Sequence, residues 1–149
     1  MPLPAFRDDN WLPEGHYSTD WDETSAVFGG KPDSKRAQVL ANLLEWRDSV
    51  RAQGLTGLLI LDGSFISAKP EPGDFDTLFI LDAGMETRLA QDVEAALLVN
   101  YNYCKQRGWG DIFMFSEIAV RRFPAMCRLD GFDHDKVTKQ AKGVVEVIL

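Results

Sequence analysis

Two short elements in the middle of the chain hold the residue types best suited to chemistry. They are Leu61-Asp62-Gly63-Ser64 and, after nine intervening residues, Asp74-Phe75-Asp76. On an extended strand, residues two apart point to the same face, so Asp74 and Asp76 project together while Phe75 points into the core. Two carboxylates roughly 6–7 Å apart along a strand can share divalent ions. Magnesium takes few protein carboxylates and keeps positions open for phosphate oxygens, as phosphoryl transfer requires. Gly63 lets the backbone approach a ligand closely, and the Ser64 hydroxyl with its neighbouring N–H groups can bind phosphate. Each half alone is bland: Asp-x-Asp is common at surface strand starts, and Gly-Ser is often only a turn. Their combination points to phosphate chemistry.

The surrounding pattern supplies the elements that must position these residues. Residues 1–18, with Pro2, Pro4, Pro13 and Gly15, read as an irregular arm whose Phe6, Trp11 and Tyr17 pack down on the domain. Thr19 and Asp22 form an approximate capping box for a short helix ending at Phe28, before Gly29-Gly30 and Pro32. Asp33 or Ser34 can cap a second helix, whose core stripe is Val39, Leu43, Trp46 and Val50 and whose end is Gly54. Leu55 to Leu61 reads as a buried strand, Asp62 to Gly73 as a break, and Thr77 to Leu81 as the body of a second strand beginning near Asp74. One long helix is expected from about Glu86 to Gln106, then strands at Asp111–Phe115 and Val144–Leu149. This alternation predicts a single α/β domain over residues 1–149, with a mixed sheet flanked by helices.

Composition narrows the partners. The 149 residues carry a formal net charge of −7, which argues against a long nucleic acid as ligand. No apolar run approaches bilayer length and the first ten residues do not resemble a secretory signal, so a cytoplasmic protein is expected and no membrane partner. Cys104 and Cys127 lack CxxC spacing and read as thiols in a reducing compartment. His16 and His134 have no partners at metal-ligand spacing, and Asp130 to Asp135 lacks the spaced acids of a calcium loop. Arg121-Arg122 reads as a surface pair; Trp46, Phe75, Phe113 and Phe115 read as core, and Trp109 as a candidate for stacking on a base.

Gly-Ser on a turn followed by Asp-x-Asp opening an apolar strand resembles the signature of the polymerase-beta-like nucleotidyltransferases. Nearly the whole chain resembles a group of short nucleotidyltransferase-like bacterial and phage proteins. That likeness rests on Pro4-Ala5-Phe6, Leu12-Pro13-Glu14-Gly15, Leu61 to Phe65, Lys69-Pro70 with Asp74-Phe75-Asp76, and Lys142-Gly143-Val144-Val145. The resemblance implies a nucleotidyltransferase-like fold in which Asp74 and Asp76 hold Mg²⁺ and Gly63 and Ser64 hold the triphosphate of an NTP. It implies a third carboxylate on a later strand, for which Asp111 is the first candidate and Glu146 the second. The acceptor hydroxyl would belong to a protein or a small RNA. Many active members carry a basic residue soon after Gly-Ser, whereas Phe65-Ile66-Ser67-Ala68 supplies none before Lys69, which is left as the triphosphate cation. That departure motivates an alternative: an inactive fold serving as a regulatory or antitoxin-like protein partner, since small relatives of this kind work in toxin–antitoxin and defence modules.

Overall fold

A computed structural model describes residues 2–122, 135 and 137–149. Cys127 and the Asp130 to His134 part of the acidic loop lie outside the described residues. The elements are β1 (His16–Thr19), α1 (Trp21–Phe28), α2 (Lys35–Ala52), β2 (Gly57–Asp62), β3 (Phe75–Leu81), α3 (Met85–Gln91), α4 (Val93–Leu98), α5 (Tyr101–Gln106), β4 (Gly110–Ser116), α6 (Glu117–Arg122) and β5 (Val144–Ile148), with a short 3-10 turn at Ser64–Ile66.

The strands form one mixed sheet in the order β1-β5-β2-β3-β4. The β2–β3 pair is antiparallel, and β3 runs parallel to β4 across a crossover that contains α3, α4 and α5. Strand β5 lies between β1 and β2, parallel to the first and antiparallel to the second. The mixed α/β architecture expected from the alternation of apolar runs is therefore present.

The core lies between one sheet face and the helices. Val39, Leu43, Trp46 and Val50 of α2 are all essentially inaccessible to solvent, so the stripe read from the sequence is the buried face. Trp46 sets its ring edge-on against Phe79, at 5.7 Å between centroids, and donates its indole N–H to the Leu98 carbonyl at 2.8 Å. That bond matters because a buried indole without an acceptor would carry an uncompensated donor. On the opposite sheet face, Ile60, Leu78 and Val144 make a smaller apolar cluster.

Four expectations change. The residues expected to form an irregular arm over 1–18 include the start of β1, whose partner β5 lies far along the chain, so no local pattern marks it. The predicted helix over Glu86–Gln106 is three short helices, because Asp92 and Asn100 adopt extended backbone and turn their side chains onto the N–H groups that follow. Helix α1 is capped by Asp20 rather than Thr19; Glu23 at the third helical position accepts from the Thr19 hydroxyl and from Leu3 N–H, which ties down the arm. Phe113, expected in the core, is 41% exposed, with its ring against Tyr101 at the start of α5.

Candidate functional site

Strand register assembles the acidic residues. The β2–β3 hairpin places Asp62 opposite Asp76, and the β3–β4 ladder places Asp111 beside Asp76. One row across three neighbouring strands thus carries three carboxylates on one face, and Asp74 joins it from the residue before β3. Asp74, Asp76 and Asp111 each bring an oxygen to a common locus where all three lie within 4.8 Å of one another. Phe75 between them is fully buried against Trp46, as strand alternation predicts. Glu146, the competing third carboxylate, sits opposite Ile60 and is 2.9 Å from His16 Nδ1; it is not part of this cluster.

Crowding has an electrostatic consequence. Burial, followed by the neighbouring charges of Asp74 and Asp111, pushes the Asp76 carboxyl up to about 7. A site of this kind holds more negative charge than its own side chains neutralise, and it offers hard oxygen donors. That donor set fits Mg²⁺ or Mn²⁺ better than a soft metal. One ammonium is already present: Lys105 Nζ, from the end of α5, lies 3.2 Å from Asp74 Oδ2 and 2.5 Å from Asp111 Oδ1. These contacts, the one to Asp111 first, hold Lys105 well above the usual ammonium range.

The Gly-Ser turn lies directly against the acids. Gly63 has φ 78°, and a Cβ built there would fall 2.0 Å from Asp76 Oδ2. Glycine is thus required twice, for the backbone conformation and for the approach of the turn to the carboxylate. Beyond it the chain makes the 3-10 turn that buries Phe65 and Ile66 completely. The turn is held from inside by Arg36 of α2. Its guanidinium donates to the carbonyls of Phe65 at 2.8 Å, Ser67 at 2.5 Å, Ser64 at 3.3 Å and Phe28 at 3.2 Å, and also to that of Lys69. With these carbonyls directed inward to one planar donor, the segment from Ser64 to Lys69 has its shape independently of any ligand.

A second charged group continues the row. Lys142 Nζ lies 3.1 Å from Asp62 Oδ1, and both side chains are about 95% buried. The same ammonium sits 4.0 Å from the centre of the Trp11 ring, and Lys69 Nζ sits 4.4 Å from it. Trp11 in turn donates to Asp135 Oδ2 at 2.7 Å, so the arm is clamped over this end of the sheet. The backbone N–H of Thr138, then that of Val137, hold Asp135 down to about 2.

Sequence reasoning identified the acids and the turn but missed Asp62, Lys105, Lys142 and Arg36. Asp62 was reachable, since it lies two residues before Ser64 at a strand end. Lys105 and Arg36 sit on helices whose polar residues look alike until the helices are placed. Trp109 is not available to a base: it is buried, with the Arg107 guanidinium 4.4 Å from its ring centre. Among the described residues no helix is long and apolar enough to cross a membrane.

The chain belongs to a family of unknown function, DUF6932, which it matches over residues 4–148. No curated protein and no solved structure matches it.

Proposed function

We propose that this protein is a divalent-cation-dependent nucleotidyltransferase that moves a nucleotide from an NTP to a hydroxyl of a protein or small RNA. The observation that carries this reading is the convergence of Asp74, Asp76 and Asp111 within 4.8 Å, beside a turn whose Gly63 touches Asp76. Clustered acidic side chains beside a glycine turn suit such a transfer, and the resemblance of the 61–76 segment to nucleotidyltransferases points the same way.

In this reading Asp74, Asp76 and Asp111 would hold Mg²⁺, which would supply charge neutralisation for the phosphates and make the acceptor hydroxyl more acidic. The turn at Gly63 would offer backbone N–H groups and Ser64 its hydroxyl to a phosphate, and Lys69 is the nearest basic residue along the chain. Asp111 would orient the acceptor hydroxyl and accept its proton as the hydroxyl oxygen bonds the α-phosphorus and the bond to the leaving pyrophosphate breaks. The cytoplasm, rich in NTP and magnesium, is the compartment this chemistry implies, and the buried free thiol of Cys104 is compatible with it.

One observation favours a second reading, that of an inactive fold serving as a binding module or antitoxin-like partner. Lys105 fills part of the acidic cluster, and the turn buries Phe65 and Ile66 where a cation for the triphosphate would be useful. The two readings separate in one experiment. Incubation of the protein with each α-labelled NTP, Mg²⁺ and a host-cell extract should transfer label to protein or RNA, and Asp74→Ala/Asp76→Ala should abolish the transfer. Absence of both transfer and Mg²⁺-dependent nucleotide binding in calorimetry would remove the enzyme reading and leave the second.

A further inference from the structure

We infer that Lys105 is a built-in counter-ion of the acidic cluster, and that a divalent cation enters by displacing its ammonium from Asp74 and Asp111. This inference rests on the cation-binding reading of the cluster. The oxygens that Lys105 engages, Asp74 Oδ2 and Asp111 Oδ1, belong to two of the three carboxylates that form the common locus. A divalent cation bound there would sit at about 2.0–2.1 Å from carboxylate oxygens of the locus. Its charge would repel the ammonium that now bridges Asp74 and Asp111, so the two compete for the same carboxylates.

Exchange is easy on the lysine's side. Lys105 is 48% exposed, it stands in the last turn of a six-residue helix, and its flexible stem can carry the ammonium into water. The acids, by contrast, outnumber it three to one, so a divalent ion neutralises the locus better than the lysine does. Lys105 therefore sets a threshold: it keeps the cluster from collapsing by self-repulsion at low cation concentration, and it lowers the apparent affinity for the cation that replaces it. Displacement also removes a side-chain tie between α5 and the β3–β4 edge, so cation binding should loosen residues 101–106.

Calorimetric titration of Mn²⁺ into the full chain tests this in the wild type, Lys105→Gln and Asp76→Asn. Thermal melts establish that each variant is folded, which is expected because Lys105 is half exposed and Asn keeps the shape of Asp76. Lys105→Gln should bind Mn²⁺ about tenfold more tightly than the wild type, a change of ~1.4 kcal/mol, and Asp76→Asn should lose the binding. Amide exchange at residues 101–106 should accelerate when Mg²⁺ is added to the wild type and stay unchanged in Lys105→Gln. Binding by Lys105→Gln alone would support the inference in its strongest form. Equal or weaker affinity in Lys105→Gln would overturn it while leaving the cation site intact. Absence of binding in both wild type and Lys105→Gln would overturn the cation reading itself, and this inference with it.

Discussion

Two ionic groups share one row of the sheet and differ in every physical respect. Asp62 and Lys142 form an ion pair buried from water, with the Trp11 ring over the ammonium. Asp74, Asp76 and Asp111 face a single half-exposed ammonium, and the cluster is left with an excess of negative charge. A buried pair has had its water stripped away, so each charge depends on its counterpart, and the arrangement serves to hold parts together. A half-buried and unbalanced cluster repels itself, and a positive charge arriving there would relieve the repulsion. The comparison teaches that residues of one type, adjacent on neighbouring strands, can sit in sharply different electrostatic surroundings, set by burial and charge balance.

The contrast can be broken most severely at the sealed pair. Lys142→Met takes the ammonium away from a buried carboxylate and should cost about 3–5 kcal/mol in urea unfolding, whereas Asp62→Leu/Lys142→Met should recover most of the loss. If Lys142→Met unfolds with the wild-type midpoint, the pair is not structural. Next in size is the boundary between the groups. Gly63→Ala combines a positive φ with a Cβ that would meet Asp76, and a loss of roughly 1–3 kcal/mol is expected together with loss of cation binding. An alanine variant that binds cation normally would show that the turn does not set the position of Asp76.

The smallest effect sharpens the open side. The Asp76 carboxyl titrates near 7 in the fold against 3.8 for an ordinary aspartate, so the protonated form is favoured by folding. Its stabilising contribution is complete below 3.8 and is lost as the pH rises through about 7. Asp76→Asn should therefore melt several degrees above the wild type at pH 8 without divalent cations, and the advantage should shrink steadily toward pH 4. Added Mg²⁺ should raise the melting temperature of the wild type and not that of Asp76→Asn. A pH-independent difference between the two would mean that the crowding of the acids is not felt.

The parts legible in the sequence were those governed by near neighbours. The stripe on α2, the apolar runs of β2 and β3, and the paired Asp74 and Asp76 follow from periodicity over a few residues, and the structure places them as expected. Strand β1 was hidden because His-Tyr-Ser-Thr has no strong pattern and owes its conformation to β5. The breaks at Asp92 and Asn100 were missed because an apolar stripe at helical spacing continues through them, while their side chains end one helix and begin the next. Asp111 entered only through the family resemblance, and its position beside Asp76 depends on a parallel register that no local signal encodes. Lys105 and Lys142 became site residues only when helix α5 and strand β5 found their places. Pairings across the chain, rather than residue types, were the missing information.

The position of β5 between β1 and β2 also dictates when the molecule can come together. His16 meets Glu146, 130 residues further along, so the first strand has no partner until residues 144–148 have been made. The hairpin of β2 and β3 with β4 can form earlier, but until residues 144–148 emerge it presents a bare β2 edge to whatever is nearby. So long a wait for a central strand makes for slow, cooperative closure and exposes the nascent chain to aggregation. A ribosome stalled shortly before Val144 would hold a half-built sheet, open to chaperones and proteases alike.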